Sequence, residues 1–394
     1  MDDGLLVPGE ADGMAAFAGQ GGTIVLVCNH ENPPSKNFHG SFGPELERMH
    51  RVRPESLYDP GNGATPGTGG TTTVVYDPKG RRVLRRHLSL AGTELNCAGG
   101  ATPWGSWLSC EECFRDPGQS VEAERPVFRE RRHGYVFEIP SSASEAVLPV
   151  PLTAMGRFEH EAAAVDPRSG IVYMTEDKHR SLLYRFVPNE PAKLHRGGRL
   201  QALGIVGRPG FDTRNWDPAQ PMPKGKWLES AWINLDNVDG DENDLRLRGH
   251  EMGAALFARG EGICYADGDI VLTCTIGGAE RLGQIFSYRP AETAGKNAGG
   301  HLRLVAESTA DSILRNADNV TMSPWGDLII CEDTADHCGL IGMCSDGTLY
   351  PLADNAYTQS ELAGICFSPD GSVMFVNIQV EGITLAITGP WSRA

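Results

Sequence analysis

A strand-like apolar run that ends in polar or acidic residues recurs along the chain, and this repeat constrains the fold more than any other feature. The six runs are Val25–Glu31, Trp107–Glu112, Val172–Asp177, Ile270–Thr275, Leu328–Asp333 and Val373–Asn377. Short apolar runs bounded by turn residues are typical of buried β-strands. Their recurrence indicates one structural unit used repeatedly.

Five of the six runs follow a tight turn that contains glycine or proline. These turns are Thr102–Gly105, Asp166–Gly170, Ala266–Asp269, Ser323–Gly326 and Ser368–Gly371. Proline fixes φ at the first turn position, and glycine supplies the positive φ that such turns require. Each turn therefore predicts that its run is the second strand of a hairpin.

The first strand of each of these hairpins opens with a polar residue. The openers are Cys97, Glu161, Glu261, Asp318 with Asn319, and Glu361. They precede Glu111, Glu176, Thr275, Glu332 and Asn377 by 14, 15, 14, 14 and 16 residues respectively. A hairpin with strands of about six residues brings its two ends together. Each opener is therefore predicted to lie beside the polar end of the second strand.

Six such hairpins separated by long variable segments predict an all-β fold, a six-bladed β-propeller with long insertions between its blades. The 48 glycines and 26 prolines are typical of turn-rich β proteins. We expect residues 1–394 to form a single domain. In a propeller, equivalent hairpin ends meet at one mouth of the central channel, so the polar openers are predicted to form a ring.

Acidic residues at strand ends have two interpretations. Taken singly, each is most simply a solvated turn residue. Taken together, a ring of carboxylates facing a channel would repel itself, and multivalent cations are the simplest remedy. Carboxylate oxygens suit Ca²⁺ or Mg²⁺, whereas the thiolate of Cys97 favours a softer metal such as iron or zinc.

The composition excludes several classes of partner. With 35 Lys and Arg against 51 Asp and Glu, the formal charge is −16, which disfavours nucleic acid and anionic membrane surfaces. No apolar run approaches the roughly 18 residues that span a bilayer. The 10 cysteines are too dilute for a disulfide scaffold.

Several strings, taken in order, resemble the PhoX family of bacterial alkaline phosphatases from about residue 1 to residue 391. They include Asn29–Glu31, Gly69–Thr73, Asn96–Gly100, Thr102–Trp107, Cys110–Glu112, Gly156–Glu161, Arg259–Gly262, Asp318–Asn319, Cys331–Asp333 and Cys366–Gly371. The segment from Cys97 to Glu112 is the most specific. The family fold is a six-bladed propeller, which agrees with the hairpin count.

The resemblance implies a phosphomonoesterase that uses Fe³⁺ and Ca²⁺ at the channel mouth. It implies that Cys97 binds iron as a thiolate, that Glu161 and Glu261 bind metal, and that Arg259 clamps the phosphate. Cys97, Arg259 and Glu261 are thus the predicted catalytic residues. Including Glu361 from the repeat, the predicted metal ligands are Glu31, Cys97, Glu111, Glu112, Glu161, Glu176, Glu261, Asp318, Glu332 and Glu361.

The resemblance also carries expectations about partner and location. The expected partner is a small-molecule phosphate ester, with neither nucleic acid nor membrane insertion, and the expected state is a monomer. Relatives are exported, so we expect a periplasmic protein, although the N-terminus shows no signal peptide. We also expect one strand of the ring to be missing at the N-terminus. A cytoplasmic location follows if Met1 is the true start.

Two other functions stay open at this stage. One is a calcium-dependent lactonase or esterase, since propellers with acidic channel mouths host several chemistries. The other is a non-catalytic propeller whose metal ions are structural and whose rim binds a protein. Cys97 discriminates, because neither alternative needs a thiolate ligand.

Overall fold

Antiparallel strands make up most of the chain in the computed structural model, which describes residues 1–34, 40–118, 127–291 and 299–391. The strands are β1 (Ala11–Ala18), β2 (Ile24–His30), β3 (Gly70–Asp77), β4 (Arg82–Ala91), β5 (Asn96–Ala101), β6 (Ser106–Glu111), β7 (Val136–Pro140), β8 (His160–Val165), β9 (Val172–Glu176), β10 (Tyr184–Pro188), β11 (Gly198–Ile205), β12 (Trp227–Asn234), β13 (Gly260–Ala266), β14 (Asp269–Cys274), β15 (Gln284–Pro290), β16 (Gly300–Glu307), β17 (Ala317–Met322), β18 (Leu328–Glu332), β19 (Gly339–Met343), β20 (Leu349–Asp354), β21 (Leu362–Phe367), β22 (Val373–Ile378) and β23 (Ile383–Thr388).

Helices are few and short in the described ranges. The α-helix α1 covers Leu245–Glu251. The 3-10 turns are Gln20–Gly22, Met49–Arg51, Pro54–Ser56, Gly61–Gly63, Thr153–Met155 and Leu194–Arg196. No helix among these residues is long and apolar enough to cross a membrane.

The chain divides into two compact units, one formed by Met1–Pro151 with Ala363–Ala394 and the other by Leu152–Leu362. The first unit contains the sheets β1-β2-β3-β4, β5-β6-β7 and β21-β22-β23. Its apolar clusters include one around Leu26 and Phe375 and one around Val27 and Phe137.

The second unit contains a nine-stranded sheet and the four-stranded sheet β17-β18-β19-β20. The larger sheet joins the consecutive strands β8–β12 to β13–β16 through the pairing of β12 with β16. Ile285, Ile330 and Ile341 belong to one buried cluster between β13–β16 and β17–β20. In β14 the residues Ile270–Cys274 are all buried, which explains why four of these five residues are apolar.

All six predicted hairpins are present, as β1/β2, β5/β6, β8/β9, β13/β14, β17/β18 and β21/β22. The five predicted turns contain glycines at positive φ, from 70° at Gly170 to 96° at Gly268. The all-β class is therefore confirmed. The number of blades and the single domain over 1–394 stay predictions. The first run also has a first strand, β1, which the sequence analysis did not recognise.

Candidate functional site

One position in the first strand carries a possible ligand in five of the six hairpins. In five hairpins it is the second residue of the strand, and it lies within a β-bulge where the pairing register shifts. A bulge adds an unpaired residue and redirects nearby side chains. We call the residues at this position the opening residues: Asp12, Cys97, Glu161, Glu261 and Asp318.

Glycine or alanine follows four of the five opening residues, and Asn319 follows Asp318. The two glycines, Gly13 and Gly262, are in close backbone contact. A Cβ on Gly13 would lie 2.6 Å from the Cα of Ala98. A Cβ on Gly262 would lie 2.6 Å from the carbonyl oxygen of Asp318. Such distances exclude any larger side chain unless the backbone moves. Glycine therefore lets neighbouring first strands approach closely enough for their opening residues to meet.

Glu361 does not occupy an opening position. It precedes β21, whose second residue is Ala363. Gly364 contacts the carbonyl oxygen of Asp12, as Gly262 contacts that of Asp318. The register of β21 therefore gives no support to Glu361 as a metal ligand, and alanine at the equivalent position offers no ligand atom.

Buried polar side chains from the second strands hold the bulged backbone. Asn377 donates to the Asp12 carbonyl over 2.6 Å, and Thr273 donates to the Asp318 carbonyl. Asn29 donates to the carbonyl oxygens of Cys97 and Ala98 over 3.1 and 2.7 Å. A bulge leaves such carbonyls outside the strand ladder, and a buried carbonyl needs a donor. These side chains therefore fix the backbone at the opening residues.

The residue after each second strand faces the opening residue, whereas the last residue of the strand does not. Glu111, Glu176 and Glu332 end their strands and pair with Asn96, His160 and Ala317, which precede opening residues. Successive side chains point to opposite faces of a strand. The positions on the side of the opening residues are thus one residue later: Glu31, Glu112, Asp177, Thr275, Asp333 and Gln379.

The first unit contains a group of possible ligands that we call the thiol cluster, formed by Asp12, Glu31 and Cys97. Their ligand atoms all lie within 4.8 Å of one another, and Cys97 Sγ lies 3.6 Å from Asp12 Oδ2. Gln379 Nε2 donates to Asp12 Oδ2 and Glu31 Oε2 over 3.0 and 2.9 Å. Glu112 also places a carboxylate oxygen within 4.8 Å of Cys97 Sγ.

Asp12 provides the clearest sign that this cluster suits a cation. Its Oδ1 is buried and has no hydrogen-bond partner among the described residues. Burial raises the pKa of Asp12 to about 6, although hydrogen bonds from Gln379 and Cys97 oppose the rise. A buried carboxylate oxygen without a donor is costly, and a bound cation would compensate for it.

The second unit contains the carboxylate cluster, formed by Glu161, Glu261 and Asp318. These side chains are buried, and their oxygens all lie within 4.8 Å of one another. Thr275 donates to Glu261 Oε1 over 2.9 Å. Three buried carboxylates at this separation repel one another, and hard oxygen ligands of this kind are those that Ca²⁺ prefers.

Arg259 lies at the edge of the carboxylate cluster. Its Nε and Nη2 donate to the two carboxylate oxygens of Asp177 over 2.7 and 2.6 Å, and Nη2 lies 3.0 Å from Glu261 Oε1. These contacts with Asp177 raise the pKa of Arg259. Within the described part of the chain Nη1 makes no hydrogen bond, and 29% of the side chain is exposed. Arg259 therefore offers two N–H groups to an anion.

Glu111 is engaged elsewhere. Its Oε1 accepts from the backbone N–H of Glu94 and lies 2.7 Å from His133 Nδ1, while its Oε2 accepts from the N–H groups of Gly134 and Tyr135. Both oxygens are satisfied by protein donors, which favours a structural role. The chain places Glu111 in none of the ligand groups found among the described residues.

Glu176 and Glu332 also lie outside these ligand groups. Tyr184 donates to Glu176 Oε2 over 2.9 Å, and Arg246 lies 3.7 Å from Oε1. Burial raises the pKa of Glu176 to about 8. Glu332 accepts from the Arg315 N–H over 2.8 Å, and burial raises its pKa as well. Glu176 Oε1 is buried without a hydrogen-bond partner among the described residues, but neither glutamate belongs to a ligand group there. Their roles as metal ligands stay predictions.

A third group of possible ligands, Glu94, Cys113 and His133, has a different character. Glu94 forms ion pairs with Arg129 at 2.6 Å and Arg115 at 3.3 Å. Protein cations thus already balance this buried carboxylate. The group is better described as a charged network that anchors the segments on either side of Cys97 and Glu112 than as a metal site.

Comparison with known proteins identifies the family. The sequence profile described as Alkaline phosphatase PhoX matches residues 1–382. The chain belongs to the alkaline phosphatase PhoX family. The phosphatase interpretation of the sequence, a phosphoric monoester hydrolase that depends on metal, is confirmed at this level. The comparison with curated proteins found no match.

The structure of this PhoX family member is similar to that of Pseudomonas fluorescens PhoX in complex with vanadate, a transition state analogue. The two are 20% identical, the match covers 94% of this chain and 83% of that one, and the TM-score is 0.68. This similarity shows the fold and agrees with the propeller class, while the blade count stays a prediction.

More distant similarities exist to a gluconolactonase from Xanthomonas campestris and to a streptogramin B lyase. The gluconolactonase is 12% identical over 97% of this chain and 86% of that one, with a TM-score of 0.47. The lyase is 10% identical over 98% and 95%, with a TM-score of 0.44. Similarities this low support no inference about activity.

Four residues in or beside these clusters were not among the predicted ligands: Asp12, Asp177, Thr275 and Gln379. Thr275 was predicted only to lie beside Glu261, as it does. Asp12 occupies the same position as Cys97 and is followed by Gly13, so the pattern of a polar residue before a small one could have found it. The other three directly follow the second strands. Side-chain alternation would have found them if the strand ends had been known to the residue.

Proposed function

We propose that this PhoX family member hydrolyses phosphoric monoesters with metal ions held by the thiol cluster and the carboxylate cluster. The observation that carries the proposal is the position of Arg259. It presents unused N–H groups beside three buried carboxylates that need a cation, in a chain whose family hydrolyses phosphate esters. Without metal, the same carboxylates would repel the dianionic substrate.

The donor atoms of the two clusters suit different metals. The thiolate and carboxylates of Cys97, Asp12 and Glu31 suit Fe³⁺, and the unpartnered Oδ1 of Asp12 supports a cation there. The oxygens of Glu161, Glu261 and Asp318 suit Ca²⁺. Bound cations supply charge neutralisation at the phosphate and polarise its oxygens.

The protein groups act on the substrate through binding and orientation. Nη1 of Arg259 has two diverging N–H donors, one of which can bind a phosphoryl oxygen. Asp177 holds the Nε–Nη2 edge of the guanidinium, which leaves Nη1 on the side away from Asp177. Thr275 keeps Glu261 in one orientation through its hydroxyl. Orientation of this kind lowers the entropy lost when the transition state forms.

Two expectations from the family stay predictions. Export to the periplasm is tested by cell fractionation of the natural gene product, and the monomeric state by light scattering. The proposed partner is a small-molecule phosphate ester, and its identity requires a substrate screen.

The experiment that tests the residue roles measures para-nitrophenyl phosphate hydrolysis by Cys97→Ala, Glu261→Gln and Arg259→Ala, with metal content determined for each variant. We expect near-complete loss of activity in all three. We expect loss of iron in the first variant, loss of calcium in the second, and retention of both metals in the third. Wild-type turnover by Cys97→Ala or by Arg259→Ala would contradict the proposal.

A further inference from the structure

A tryptophan between two arginines lies next to the Arg259 site. Arg214 and Arg281 stand over the ring of Trp216, with guanidinium carbons 4.2 and 4.4 Å from its centroid. Guanidinium groups stack on aromatic rings because the ring face carries negative charge density. We call Arg214, Trp216 and Arg281 the arginine–tryptophan stack.

Hydrogen bonds tie the stack to both sides of the Arg259 site. Trp216 Nε1 donates over 3.1 Å to the carbonyl of Ile276, the residue after Thr275. Arg214 Nη1 donates over 3.0 Å to the carbonyl of His179, two residues after Asp177. Since consecutive Cα atoms are about 3.8 Å apart, the stack begins within one or two residues of the groups that hold Glu261 and Arg259.

The two arginines differ in how their charge is balanced. Arg214 forms a bidentate ion pair with Asp212, at 2.8 and 2.6 Å. Arg281 is exposed and forms no ion pair in the described ranges. The neighbouring Glu280 accepts instead from the N–H of Ala310 over 2.8 Å. Arg281 therefore carries a positive charge that has no ion-pair partner among the described residues, in a chain with a formal charge of −16.

The backbone at Arg281 supports a specific role for this charge. Arg281 has φ of +57°, a conformation rarely adopted by a residue other than glycine, asparagine or aspartate. Hydrogen bonds from Arg281 N to Gly278 O and from Gly283 N to Gly277 O keep the turn in this form. Strained residues persist only where the surroundings fix them, and they concentrate at functional sites.

We propose that Arg281, held on Trp216, binds a second anionic group on the leaving-group side of the substrate. The preferred substrates are then phosphoric monoesters that carry a carboxylate or a further phosphate, rather than esters of uncharged alcohols. This inference rests on the proposed function, because it places the reacting phosphate at Arg259.

The test compares three aryl phosphates: para-nitrophenyl phosphate, para-carboxyphenyl phosphate and para-phenylene bisphosphate. Two ratios are measured: kcat/KM for the carboxyphenyl ester and kcat/KM for the bisphosphate, each divided by kcat/KM for the nitrophenyl ester. Dividing each ratio in a variant by the same ratio in the wild type cancels the intrinsic reactivity of the esters. The ester whose ratio falls further identifies the preferred anion.

We expect Arg281→Ala to lower at least one of these ratios about fivefold, the upper range for an exposed ion pair. Arg281→Glu should lower it further. The wild-type preference should weaken between about 0.02 M and about 0.5 M salt, since exposed charges are screened.

The matched control is a second stack of the same composition, in which Arg289 and Arg303 stand over Trp227 at 4.7 and 4.4 Å. Arg289 is bound to Asp269, which lies at the turn end of the β13/β14 hairpin, about 17 Å from Glu261 along the strand. Arg289→Ala should leave both ratios unchanged.

Unchanged ratios in Arg281→Ala and Arg281→Glu, or an equal change in Arg289→Ala, would overturn the proposal. Failure of the proposed function has a separate signature. In that case the metal-replete wild-type protein would hydrolyse none of the three esters.

Discussion

Asp177→Asn tests whether Asp177 positions Arg259 for phosphate binding. Asp177 accepts two charge-assisted hydrogen bonds from Arg259, at 2.7 and 2.6 Å, and only 11% of its side chain is exposed. Asparagine keeps one acceptor and turns an N–H₂ group towards the guanidinium. The substitution therefore removes one charge-assisted bond, which contributes about 2 kcal/mol.

Freed from Asp177, the guanidinium is expected to turn towards Glu261, which already lies 3.0 Å from Nη2. Restoring the productive orientation then costs about 2 kcal/mol, equivalent to a roughly 30-fold lower kcat/KM for para-nitrophenyl phosphate. The inhibition constant for inorganic phosphate should rise in parallel. Iron and calcium contents should stay at the wild-type level, because Asp177 is not in either ligand cluster.

Asp269→Asn provides the matched control, since Asp269 binds Arg289 through the same Nε and Nη2 atoms at 2.7 and 3.0 Å. It should leave kcat/KM and the phosphate inhibition constant unchanged. Wild-type kinetics in Asp177→Asn would refute the positioning role. A loss of activity that accompanies a loss of metal would also refute it, because Asp177 would then act as a ligand or as a purely structural residue.

Three further substitutions test the architecture of the clusters. Gly262→Ala should lower the free energy of unfolding by about 2 kcal/mol and reduce calcium content, since its Cβ would lie 2.6 Å from the Asp318 carbonyl. In the control Gly260→Ala, the new Cβ would lie an ordinary 3.4 Å from Thr175. Equal stabilities of the two variants in urea unfolding would contradict this. Asn29→Asp should reduce iron content, because a carboxylate would replace the amide N–H that binds the Cys97 carbonyl oxygen. Retention of iron would show that this hydrogen bond is dispensable. For His133, burial lowers the pKa but the charge of Glu111 and hydrogen bonds to Asp59 and Glu111 raise it to about 9. Because the folded pKa exceeds the unfolded value, the stabilisation is complete below about pH 6.5 and is lost as the pH rises through about 9. The stability advantage of wild type over His133→Gln should therefore shrink between about pH 6 and about pH 10. A constant advantage would count against the charged imidazole.

The sequence predicted the hairpins well because their signals are local. The turn Ser368–Gly371 combines proline at the second position with a glycine whose φ is +72°, and both requirements are visible in the residues themselves. Apolar runs such as Ile270–Cys274 mark strands that are buried throughout. The repeat indicated bound cations, and the family resemblance added the choice of Fe³⁺ with Ca²⁺ and the role of Arg259.

Which residue at the end of each second strand faces the opening residue was harder to predict, because the answer depends on the position of the strand end to within one residue. Glu111 and Glu112 are adjacent, yet one binds His133 and the other lies near Cys97. A shift of one residue changes the face of the sheet to which a side chain belongs. Asp12 escaped notice because the small residues of β1, Ala11–Ala18, do not resemble a β-branched strand.

The most direct test of the central claim is the hydrolysis of para-nitrophenyl phosphate by the purified protein before metal removal, after chelation, and after reconstitution with Fe³⁺ and Ca²⁺. Because the buried carboxylates would repel the substrate in the absence of cations, we predict that chelation abolishes activity and that reconstitution restores it. Full activity in protein shown by elemental analysis to be free of metal would contradict the account, as would inactivity of the fully reconstituted protein.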